Sequence, residues 1–176
     1  MLRLSLLATL VLGLLVSTFL TACTSPRLVE VLDVSVQPER ETTPEELDAA
    51  RARWQAAGLA DYRFVYEVSC FCPEDARGPF TITVRDGVVQ EVLFQGRPLD
   101  PEDPRHPTLD ALFTTLGDAF SADAALVRAA YHPTLGYPLS AYVDYETMMA
   151  DEELGFAVSA FTPLGGSREP AGSAGR

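Results

Sequence analysis

Apolar and polar positions change period several times along this chain, and each change marks an element. From Leu4 to Leu20 nearly every position is apolar, interrupted only by small polar residues and Gly13. A helical period starts at Thr43, which can cap, with Pro44 at the first helical position and Glu46 completing a capping box. Leu47, Ala50, Trp54 and Ala57 then recur at three- and four-residue spacing, and Gly58 supplies a stop. The period next becomes two: Tyr62, Phe64, Tyr66 and Val68 alternate with Arg63, Val65, Glu67 and Ser69, as in a half-buried strand. Phe80–Val84 and Val88–Phe94 flank Asp86-Gly87, a strong hairpin signal. A two-residue turn would oppose Ile82 to Glu91; a bulge would oppose it to Gln90. A proline-rich loop over Gln95–Pro107 precedes a second helix, capped by Thr108, with Leu109, Leu112, Phe113, Leu116 and Phe120 on one side. Leu126–Tyr131, Leu139–Tyr145 and Leu154–Phe161 are three further strand candidates.

These elements predict one α+β domain over 43–162, an antiparallel sheet with two helices on one face, in the order helix–three strands–helix–three strands. Residues 23–42 read as a tether with a short strand at Leu28–Val36. The Gly-, Ser- and Ala-rich stretch over 163–176 reads as a disordered tail.

The apolar stretch at the start, with Arg3 ahead of it and Leu20-Thr21-Ala22-Cys23 at its end, has the layout of a lipoprotein signal. Cleavage after Ala22 would remove residues 1–22 and leave Cys23 to carry fatty acyl chains, whose buried methylenes hold a protein on a bilayer. An uncleaved anchor and a plain cleaved signal are the alternatives, and all three export the domain. The expected location is the cell envelope, facing away from the cytoplasm. Thr24, where an Asp would favour the inner membrane, tips the choice towards the outer one.

Charge narrows the partners. The chain has 13 cationic residues, all arginine, against 25 carboxylates, a net charge of −12. Losing Arg3 with the leader leaves 12 against 25, or −13. Such a surface repels nucleic acid and anionic headgroups. There is no Gly-x-Ser-x-Gly elbow, His-Glu-x-x-His pair, phosphate loop or dinucleotide fingerprint, so neither catalytic residues nor a cofactor are expected.

The remaining chemistry is sparse. Cys70 and Cys72, exported together, suggest a disulfide or a redox pair. Residues two apart on a regular strand share a face and lie too far apart to bond, so bridging needs a bend, which Pro73 could supply. Strand parity puts both thiols towards the core. His106 and His132, each followed by proline, read as solvated turn histidines. No metal site is assigned; Asp144, Asp151 and Glu152 are the nearest candidates, in an acidic stretch without the spacing of a calcium loop.

Trp54, Asp61-Tyr62-Arg63-Phe64, Cys70-Phe71-Cys72-Pro73, Val84-Arg85-Asp86-Gly87, Leu112-Phe113, Tyr131-His132-Pro133-Thr134-Leu135-Gly136-Tyr137-Pro138, Asp144 and Asp151-Glu152-Glu153-Leu154 together resemble a group of exported bacterial proteins, domain-of-unknown-function family 6174. The resemblance covers about Glu46 to Phe161. His132 departs from it, standing where an aspartate is expected. It implies export and a single domain but no activity. The expected function is a lipid-anchored, non-enzymatic binding or scaffolding module for an envelope protein or small ligand. A thiol redox protein or sensor using Cys70 and Cys72, and a divalent-cation binder, are the alternatives.

Overall fold

The structure, a computed structural model, describes residues 39–146 and 153–165. Cys23, the leader and the strand expected at Leu28–Val36 lie outside them, as do Asp151 and Glu152. In chain order the elements are β1 (Arg40–Glu41), α1 (Pro44–Ala57), β2 (Tyr62–Ser69), α2 (Glu74–Arg77), β3 (Phe80–Arg85), β4 (Val88–Phe94), β5 (Arg97–Leu99), α3 (Leu109–Ser121), β6 (Leu126–Tyr131), β7 (Pro138–Asp144) and β8 (Leu154–Pro163).

The expected layout of two helices over two three-strand sets is overturned. An eight-stranded antiparallel sheet dominates, in the order β1-β6-β7-β8-β2-β3-β4-β5. β1 and β5 fall outside the expected sets, and α2 interrupts the first of them. β5 lies inside the stretch expected to be a proline-rich loop. It forms because Gln95-Gly96 makes a two-residue turn, both residues at positive φ (51° and 76°), so that Arg97 pairs with Phe94. Pro98 is tolerated there because β5 is an edge strand. The last strand, β8, pairs with β2, making the sheet continuous.

Local chemistry sets the elements. Thr43 Oγ1 accepts the Glu46 N–H, the Glu46 carboxylate accepts the Thr43 N–H, and Gly58 closes α1 at φ 60°. Asp86-Gly87 forms the two-residue turn, but one extra residue in β4 then places Ile82 opposite Val92, not Glu91 or Gln90. That shift turns Val92 and Phe94 into the core, where both are buried.

One core cluster holds Leu47, Ala50 and Trp54 of α1, the buried face of α3, and the inward residues of the sheet. Trp54 meets Tyr62, Tyr137 and Phe161 edge-on, with centroids 5.3, 6.0 and 6.1 Å away. The Tyr62 hydroxyl accepts the Leu109 N–H at 3.2 Å, satisfying a first-turn donor of α3. Arg51 ties the helices together: its guanidinium donates to the Phe113 carbonyl at 2.7 Å and lies 5.7 Å from that ring's centroid.

Candidate binding site

The sheet face turned away from the core cluster carries an open concavity. Cross-strand register defines it: Glu67 lies opposite Ala157, and Ala157 opposite Ser140. One row further, Ser69 lies opposite Gly155, Gly155 opposite Tyr142, and Tyr142 opposite Arg128. The floor is therefore built of small residues. At Gly155 an added Cβ would come 2.9 Å from Ser69 Cβ, so a side chain there would raise the floor into its neighbour. The trough encloses about 700 Å³ and is bordered by Glu39, Glu67, Glu74, Arg77 and Tyr142. Hydrogen bonding to Glu153 pushes the Tyr142 phenol above its usual range.

One rim is the segment after β2. Parity along β2 would carry Cys70 and Cys72 inward, but the strand ends at Ser69 and the chain bends over Cys70–Cys72. Neither sulfur joins the core; both residues are half-buried and Cys70 borders the trough. The bend precedes Pro73 instead of following it. It draws the two Cα atoms to 5.3 Å, against about 6.6 Å for two extended steps, and a disulfide joins them. Phe71, between them, is 100% exposed. A smaller hollow of about 330 Å³ lies against Cys70, Phe71, Cys72, Pro73 and Arg77.

The other singled-out residues lie elsewhere. His106 is not a solvated turn residue: it is buried, with Phe80 edge-on at 4.9 Å. Asp103 beside it is held down to about 2 by its hydrogen bonds with Arg105. His132 is half-buried and ordered by its neighbours. Its Nδ1 accepts the Thr134 and Leu135 N–H groups at 3.2 and 2.9 Å, and its ring stacks on Tyr137 at 4.9 Å. A carboxylate oxygen of aspartate accepts in the same way in an Asx turn; here a ring nitrogen does so. Burial pushes the imidazole below its usual range. Asp144 ends β7; among the described residues no three His, Cys, Asp or Glu side chains are grouped to hold a metal. No helix among them is long and apolar enough to cross a membrane.

Several segments behind the family resemblance meet as structural joints. The Asp61 carboxylate accepts the Asp86 N–H at 2.8 Å and an Arg85 N–H at 3.2 Å, while the Gly87 N–H donates to the Ala60 carbonyl. These contacts fasten the start of β2 to the β3–β4 turn. Apart from Cys70, no trough residue stands out in the sequence as a candidate for binding. The outward parity of Glu67 and Ser69 was visible, but the partnership of β2 with β8 that builds the floor was not.

No curated protein and no solved structure matches the chain. A family of unknown function (DUF6174) matches over residues 46–163, from the first turn of α1 to the end of β8, and the chain belongs to that family.

Proposed function

We propose that this is a lipid-anchored cell-envelope protein, held through Cys23, whose domain is a non-enzymatic binding module that takes its partner on the open sheet face. The observation that carries the reading is the trough itself. It is a concavity of about 700 Å³ with a floor of small residues and a charged rim, features suited to admitting another molecule's side chains. The leader ending in Leu20-Thr21-Ala22-Cys23 supports the anchor. With a tether between Cys23 and β1, the domain would face the compartment outside the cytoplasm.

Carboxyl footprinting tests this. The full chain is labelled with a carbodiimide and an amine, once in native envelopes and once after purification in detergent. Glu67 and Glu74 should label more slowly in envelopes, while Asp48 on α1 should not change. Equal labelling of Glu67 and Glu74 in both states would refute the trough as the occupied surface. Intact mass of the same material tests the anchor: the expected species lacks residues 1–22 and carries acyl mass on Cys23.

A second reading, a thiol redox protein or sensor, is favoured by the half-buried Cys70–Cys72 bond beside the trough. Alkylation in native envelopes under acid quench separates the two. A pair that never becomes alkylated without added reductant removes the redox reading.

A further inference from the structure

We propose that the occupant of the trough is an extended, cationic segment of another polypeptide, with Phe71 as the platform on which one of its guanidinium groups stacks; this rests on the reading of the open face as a binding surface. The trough reaches from Glu39, next to β1, to Glu67 and Ser69 on β2. Between β1 and β2 lie β6, β7 and β8, so the distance crossed is four strand spacings, roughly 19 Å. A six-residue extended segment has about that length.

Charge decides the sign of the partner. Glu39, Glu67 and Glu74 border the trough against Arg77, and Arg128 on β6 lies just beyond Tyr142, so the carboxylates still outnumber the cations along the path. Neither Arg77 nor any of the three glutamates takes part in an ion pair among the described residues, where the cation–carboxylate pairs are Arg40–Glu46, Arg85–Asp61 and Arg105–Asp103. An incoming cation therefore has no internal pair to displace. The whole chain, at −12, attracts the same class of partner over longer range.

Geometry decides the shape. In an extended segment alternate side chains point the same way, so three cationic residues at every second position present their charges to one surface. The low floor at Ser69, Gly155 and Ala157 leaves room for the backbone. Beside the trough, in the smaller hollow that shares Cys70 and Arg77 with it, Phe71 is fully exposed on a short bridge closed by the Cys70–Cys72 bond. Such a ring offers its face to a guanidinium at little ordering cost, because the chain on both sides is already restrained.

The probe is a fluorescein-labelled hexapeptide of alternating arginine and serine. It is titrated by anisotropy against the full-length chain in a neutral detergent, at 50 and 300 mM salt. Saturable binding that weakens with salt is expected. Glu67→Gln with Glu74→Gln should weaken it at least fivefold, and Phe71→Ala at least threefold. The charge-matched control, Asp48→Asn with Asp118→Asn on the exposed faces of α1 and α3, should change it less than twofold. Equal weakening by the control would show diffuse attraction to an acidic protein and overturn the proposal, as would no saturable binding at 50 mM salt. If envelopes protect Glu67 and Glu74 from labelling while the peptide does not bind, the cationic partner is wrong and the binding face stands.

Discussion

Gly136 lies so close to α1 that a methyl group on its Cα would collide with the carbonyl oxygen of Ala50 and come within 2.8 Å of Arg53 Cβ. Its φ of +83° is also one that side chains rarely adopt. Both facts serve one end: the turn from His132 to Pro138 docks on the helix, and Tyr137 reaches Trp54.

Gly136→Ala should therefore destabilise the domain by about 2–4 kcal/mol, combining left-handed strain with overpacking. Gly96→Ala isolates the first term. Gly96 has φ +76° but nothing near its missing Cβ, so the cost there should be about 1 kcal/mol. Urea midpoints of the two variants check the contrast; equal losses would mean that the approach to Ala50 does not matter.

His132 sets a pH dependence. Burial holds its folded pKa below the ordinary histidine value of about 6.5, and a protonated Nδ1 could no longer accept from Thr134 and Leu135. A folded pKa below the unfolded one means the stabilisation is complete above about pH 6.5 and is lost as pH falls through the folded value. His132→Asn keeps an acceptor and cannot protonate. The drop in melting temperature between pH 7.5 and 5 should shrink in this variant.

Asp61 acts lower on the scale. The Asp86 N–H, and after it Arg85, hold its carboxyl below the usual range. Its contribution is present above the unfolded value, about pH 4, and disappears as pH falls through the folded one. Asp61→Asn should lower the urea midpoint at pH 7 and lower it less at pH 2.5. A variant equally damaging at both pH values would contradict the charge-based role.

The Cys70–Cys72 bond closes a loop of three residues, which restricts the unfolded chain little. Chain-entropy reasoning gives it about 1.6 kcal/mol. Replacing both cysteines by serine should cost no more than about 2 kcal/mol on that basis, as read by urea unfolding. A much larger loss would make the bridge a main support of the fold.

What the sequence made legible follows from how local each signal is. Thr43, Glu46 and Gly58 act within one helix, and Asp86-Gly87 within one turn, so both could be read without knowing what packs where. The bulge that sets Ile82 against Val92 depends on the core's demand for Val92 and Phe94, a tertiary effect. The bend at Cys70–Cys72 ends a parity that looks continuous, so strand periodicity alone puts the thiols on the wrong side. His106 reads as solvated because nothing local shows that Phe80 covers it. The trough needs β8 beside β2, residues far apart in the chain, and no periodicity reports such a pairing.

The most direct test of the open face as the working surface places a photocrosslinking amino acid at Tyr142, on the trough, and separately at Asp48, on α1, in full-length protein in living cells. Discrete higher-mass adducts from position 142, with none from position 48, are the predicted result. Adducts from position 48 alone, or an identical ladder from both, would contradict it.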